Sequence, residues 1–92
     1  MAKLKRELAE RRRSPQKARD LERLAQKLGR KKVRRGSEPM WESAEFPHLF
    51  VLSIPHHGSR DLAIGTQRSI LDQLEEDVVA WDARIDERNG EE

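Results

Sequence analysis

Leu21, Leu24, Ala25 and Leu28 recur at i, i+3, i+4 and i+7, the spacing that lines one face of an amphipathic helix. Upstream, Ser14-Pro15 offers a serine N-cap and a proline at the first helical position; downstream, Gly29 supplies the left-handed residue that commonly ends a helix. A second stripe, Ile70, Leu74, Val78, Trp81 and Ile85, is spaced 4, 4, 3 and 4 apart. It predicts a helix opened by Gly65-Thr66, ending before Asn89 and covering a sheet with this face. Between the helices, residues 31–35, 40–43 and 49–54 suit strands, separated by Gly36-Ser37-Glu38-Pro39 and by Glu45-Phe46-Pro47. Leu49-Phe50-Val51-Leu52 with Ile54 is nearly continuous in apolar character, which predicts the most protected strand, and Pro55 stops it. Residues 3–13 are helix-prone, but Leu4 and Leu8 are their only large apolar side chains, too few to bury a face, so a partly ordered arm is expected there.

The resulting order is helix, three strands, helix. This is an α+β class: a two-layer, double-stranded-RNA-binding-like domain with a three-stranded antiparallel sheet and room for an extra N-terminal helix. The expected division is a basic N-terminal arm over residues 1–13, an αβββα domain over 14–88 and an acidic tail over 89–92. Order alone does not fix function.

Charge changes the picture more than composition does. The net charge of the 92 residues is +2, but residues 1–35 hold fifteen Lys/Arg against four Asp/Glu, a net of +11. The remainder carries −9. A basic half attracts a polyanion and gains from counterion release when it neutralises phosphates, so nucleic acid is the natural partner to expect; a solvated charged surface is the plainer alternative. With no cysteine there is no disulfide and no thiolate metal site. No apolar run is long enough to cross a bilayer, and the first fifteen residues lack the hydrophobic stretch of a secretory signal. A cytoplasmic protein without a membrane role is therefore expected.

The most specific stretch is Ser53-Ile54-Pro55-His56-His57-Gly58, followed by Asp61-Leu62 and by Gly65-Thr66-Gln67-Arg68-Ser69-Ile70-Leu71. It resembles the HicA toxins, whose third strand runs into a Pro-x-His loop and then a Gly-Thr step opening a helix that contains Ile-Leu. Leu28-Gly29 with Arg34, Arg35, Gly36 and Ser37 also resembles that family's first helix end and Gly-Ser turn. The resemblance covers roughly residues 17–76. It implies a type II toxin of toxin–antitoxin systems that binds mRNA and cleaves it as an endoribonuclease without a cofactor, with a HicB-like antitoxin as its protein partner.

Independently of the family, Gly65-Thr66 opens a helix whose free N–H groups and positive dipole end can hold a phosphate, although ordinary capping by Thr66 is the plainer reading. A histidine near neutrality can move the proton that attack of an RNA 2′-hydroxyl on the adjacent phosphate requires. His57 matches the family's loop histidine and is the candidate; His56 stands at the variable position before it, and His48 reads as a solvated turn residue. The plainer reading of His57 is a backbone hydrogen bond. Adjacent His56 and His57 diverge and have no third ligand at useful spacing, so no metal site is expected. Along the first strand, Lys31 and Arg35 share one face with Val33 while Lys32 and Arg34 point to the other, and whichever pair stays wet contacts phosphate. Trp41 reads as packing rather than base stacking, and Trp81 as core.

One departure matters as much as the match. Where the HicA toxins carry Gly-Ser-His, with that histidine held responsible for cleavage, this chain has Gly36-Ser37-Glu38-Pro39. Glu38 could serve as the base, but neighbouring Arg34 and Arg35 favour its ionised form, which repels phosphate. Three readings stay open: a base moved to His57, a base at Glu38, or a catalytically silent RNA-binding regulator, which the basic arm would suit. A fourth, from another class, is an interaction module in which the acidic residues 72–92 dock a basic partner or the chain's own arm.

Overall fold

In a computed structural model the backbone is described for residues 2–35, 38–55 and 60–90, with side chains for these residues except 34, 35, 38 and 87–90. The elements are α1 (Ala2–Arg11), α2 (Ala18–Lys27), β1 (Arg30–Arg35), β2 (Glu38–Ser43), β3 (Leu52–Ser53) and α3 (Ile64–Gly90). The fold is α+β, three helices with a three-stranded antiparallel sheet of order β1-β2-β3. This agrees with the double-stranded-RNA-binding-like architecture, and the extra N-terminal helix is present.

The stripe of α2 is buried as its spacing predicts: Leu21, Leu24, Ala25 and Leu28 are all inaccessible. Its start is not where Ser14-Pro15 suggested. The helix begins at Ala18 after an extended Lys17, whose N–H is capped by the Asp20 carboxylate at 3.0 Å. Tertiary pairing competes with the earlier start. Gln16 gives its N–H to Gln67 Oε1 (2.9 Å) and its carbonyl to the N–H of Leu62 (2.8 Å), and Lys17 bridges Asp61, so residues 16 and 17 must stay extended. Gly29 ends the helix region at φ +89°, where a β-carbon would stand 3.4 Å from the Trp81 ring. The Trp81 indole donates to the Leu28 carbonyl at 2.8 Å, joining that turn to α3.

Across the β1–β2 ladder Arg30 faces Ser43, Lys32 faces Trp41, Lys31 faces Glu42 and Val33 faces Met40; Trp41 faces Leu52 of β3. Directly opposed residues share a face. The Arg30, Trp41, Ser43 and Leu52 face is buried beneath the helices, and the Lys31, Val33, Met40 and Glu42 face is the outer one. The third strand departs from expectation. Only Leu52 and Ser53 pair; Leu52 and Ile54 are buried, but Phe50 is 77% exposed and Val51 is also open to solvent. The cause is local: residues 46–49 form a turn closed by Leu49 N–H to the Phe46 carbonyl, and the Phe50 carbonyl accepts from Arg30 at 3.0 Å, which holds that residue outside the ladder.

Helix α3 buries Ile70, Leu71, Leu74 and Val78 in one cluster with α2 and the inner sheet face. It begins one residue before the Gly65-Thr66 step and continues to Gly90, past the stop expected before Asn89. At 27 residues it is about 40 Å long, close to the 47 Å longest extent of the molecule, so its last turns pass beyond the sheet. That is why the stripe ends at half-buried Trp81 and leaves Ile85 exposed. Helix α1 corrects the expectation of an arm without a buried face. Leu8 is 1% exposed and Leu4 packs against the same core, because polar contacts around residues 11–16 dock the helix on α3 and supplement its two leucines.

Candidate nucleic-acid interface

Strand β1 carries a row of cations, and burial sorts them. Lys31 and Lys32 are both exposed although they point to opposite faces, because β1 is an outer strand of the sheet. Arg34 and Arg35 continue the strand opposite Pro39 and Glu38. Glu38 thus opens β2 directly across from Arg35, at the end of the basic strand. Gly36 and Ser37 of the expected turn lie outside the described residues.

Arg30, adjacent in sequence, has a different task. Its Nε and one terminal nitrogen hold Asp77 at 2.7 and 2.8 Å, while the other terminal nitrogen donates to the Trp41 and Phe50 carbonyls at 2.8 and 3.0 Å. Both side chains are fully buried. The bidentate fork satisfies the carboxylate and ties β1, β2, the segment before β3 and the middle of α3 together. Sequence reasoning missed this pair. A signal existed: Asp77 falls three residues after Leu74 and next to Val78, on the buried face, where a carboxylate needs a cation.

At the start of α3, Gly65 is exposed with nothing within 4 Å of where a β-carbon would stand, and Thr66 is half-buried. Gly29 is the only glycine at positive φ among the described residues, so Gly65 serves no left-handed turn. The first turn of α3 contains no acidic residue, and its leading N–H groups have no preceding helical carbonyl to bond. Arg60 and Arg68 are exposed on either side of it. A groove of about 220 Å3 beside this turn is lined by Arg12, Ile64, Gln67, Arg68 and Leu71. A second of about 190 Å3 adjoins it, lined in part by Arg13, Ser14, Pro15 and Leu62.

His56 and His57 lie outside the described residues. Of the described residues on either side, Ile54 is buried after β3 and Asp61 pairs with Lys17. His48 is exposed and meets Phe46 edge-on at 6.1 Å between ring centroids. Trp41 is 2% exposed, a packing residue that no base can reach, and its indole N–H has no hydrogen-bond partner among the described residues.

The family model described as the HicA toxin of bacterial toxin-antitoxin matches residues 18–75. The chain belongs to the HicA toxin family. No curated protein and no solved structure matches it. The matched range starts with α2 and stops inside α3, so α1, the linker through Lys17 and the last turns of α3 lie outside the match. Asp77 lies just beyond that range and yet neutralises Arg30 inside it. Among the candidate site residues of this HicA chain, Lys31, Lys32, Gly65 and Thr66 belong to described, accessible or half-accessible positions, in two groups: the outer strand and the start of α3. No helix among the described residues is long and apolar enough to cross a membrane.

Proposed function

We propose that this HicA chain is the toxin of a type II toxin–antitoxin system, that it binds mRNA through β1 and the start of α3, and that it cleaves the bound strand by metal-independent endoribonuclease chemistry. The observation that carries the reading is the exposure of Lys31 and Lys32 on an outer strand of the matched domain. Backbone phosphates are met by these cations, by Arg34 and Arg35, and by the Gly65-Thr66 helix start. The reaction removes the 2′-hydroxyl proton, forms a bond from that oxygen to the adjacent phosphorus and releases the 5′-oxygen, which takes up a proton. His57 or Glu38 is the base. A HicB-like antitoxin covers this basic strand with an acidic surface in the cytoplasm, and charge complementarity speeds the encounter.

A second reading, a catalytically silent RNA-binding regulator, is favoured by Glu38 standing where the family carries its catalytic histidine. Cleavage of a long structured RNA by the purified protein in EDTA separates the two. The wild type is expected to cut, and whichever of His57→Ala and Glu38→Ala removes the base slows cutting about 10²–10⁴-fold with the melting temperature unchanged. RNA that shifts on a gel but stays intact with the wild type establishes the silent binder. RNA that neither shifts nor is cut ends both readings.

A further inference from the structure

We infer that α1 and the linker after it form a second phosphate-contacting surface, appended to the HicA core, which holds the RNA strand flanking the site; this rests on the RNA-binding reading above. Four observations carry it. The segment lies wholly outside the matched residues 18–75, so the family core does not account for it.

The segment is also fixed in place. Leu8 is buried, and the Gln67 amide donates to the carbonyls of Arg11 (3.1 Å) and Ser14 (3.0 Å) while accepting from Gln16. Arg12 reaches Asp72 and Glu75 of α3 at 2.7 and 3.1 Å, and Lys27 of α2 reaches Glu7 at 3.0 Å. A fixed basic helix binds a polyanion without first paying for its own ordering.

Docking then sorts the charges. Arg11, Arg12 and Glu7 are used internally. Lys3, Lys5, Arg6 and Arg13 remain exposed, and none of the four makes an ion pair with another described residue. Glu10 is the single exposed acid of α1. Along the helix runs an open groove of about 560 Å3 to which Lys3 and Arg6 bring free cations; Glu10 also lines it, and its other charged residues, Glu7 and Arg11, pair with each other, Glu7 also with Lys27.

Last, the surface is continuous with the proposed site. Arg13 lines the groove that Ile64 and Gln67 of the first turn of α3 bound, and Arg68 lines the neighbouring one. A strand leaving the α3 helix start therefore meets Arg13 first and the α1 cations next. Phosphate contacts of this kind carry no base preference, so the surface adds affinity for any sequence.

The test is the salt dependence of binding of the full chain to a single-stranded RNA of scrambled sequence. Wild type is compared with a variant carrying Lys3→Gln, Lys5→Gln, Arg6→Gln and Arg13→Gln. Each lost phosphate contact is expected to make the plot of log affinity against log salt shallower by about 0.7, so the fourfold variant loses roughly 2 to 3 from the slope and binds at least ~10-fold more weakly near physiological salt. Replacing the three sites Lys3, Lys5 and Arg13 by the opposite cation, Lys3→Arg, Lys5→Arg and Arg13→Lys, is expected to keep the slope. Should the fourfold variant melt early, Lys5→Gln and Arg13→Gln singly read the same quantity one contact at a time. Wild type that binds RNA, with all the variants sharing its slope, overturns the inference while leaving the proposed function standing. Wild type that binds no RNA removes the proposed function itself. Variants that bind RNA normally but lose binding to vesicles of anionic and neutral phospholipid, or to the antitoxin, overturn the inference in favour of those surfaces.

Discussion

Helix α3 receives an arginine at two places, from β1 near its middle and from the α1–α2 linker near its start. Arg30 and Asp77 meet with side chains 1% and 0% exposed; Arg12 meets Asp72 and Glu75 with all three partly in water. The chemistry is the same and the surroundings decide its weight. Under the sheet, each partner left alone would be an uncompensated charge in a poorly solvated core, and the fork's third nitrogen also satisfies two backbone carbonyls. At the seam, water and salt can replace either partner. The hydrogen bond to Asp72, helped by Glu75 and opposed in part by burial, raises the Arg12 pKa further above an already high value. Its charge is therefore constant throughout the neutral range, and salt rather than pH is the variable that exposes its contribution.

Breaking the buried contact is the largest perturbation. Asp77→Ala is expected to cost about 3–5 kcal/mol, seen as a fall in melting temperature of at least ~12 °C or as failure to fold. Replacing both partners with apolar residues, Arg30→Met with Asp77→Leu, is expected to recover part of that loss; a double variant no more stable than Asp77→Ala would show that the fork's carbonyl contacts matter more than the charge. Gln67→Ala comes next, at about 1–3 kcal/mol, because it leaves the buried Gln16 N–H unpaired. Its effect is local: hydrogen exchange should quicken in α1 and the linker while the sheet stays protected, and uniform loss of protection would show that the seam and the core unfold together. Arg12→Ala is smallest, at most about 1 kcal/mol, and the difference from wild type should vanish in about 1 M salt.

The same contrast explains what was legible in the sequence. Stripes that bury apolar faces announced α2, α3 and the order of elements, and Gly29 announced the end of α2, because these follow from spacing and local backbone geometry. Features fixed by polar contacts across the chain were not legible. Nothing near residues 2–11 indicates that Gln67, more than fifty residues away, will hold the linker and so dock α1. Ser14-Pro15 has the chemistry of a helix start, yet backbone pairing of Gln16 with Leu62 moves that start to Ala18. The apolar run 49–54 reads as a strand until Arg30 takes the Phe50 carbonyl. Arg30 itself was hidden among five other cations of the same kind, Lys27, Lys31, Lys32, Arg34 and Arg35, and Asp77 was the one local clue. For the candidate site, Lys31, Lys32, Gly65 and Thr66 stand at accessible or half-accessible positions, as phosphate contacts must, and Trp41 is in the core, whereas His57 lies outside the described residues.

The basic β1 also has a meaning for how copies of the chain meet. As an outer strand it presents, among the described residues, a row of backbone groups with no strand beside it on one side, the template on which a foreign strand adds and aggregates grow. Lys31 and Lys32 guard that row, since a second copy approaching edge to edge would set its own lysines against them. The guard is electrostatic, so it weakens when the charges are neutralised: a polyanion or an acidic protein seated on β1 takes over the task of covering the edge, and mutating these lysines to apolar residues trades a ligand contact for a tendency to precipitate.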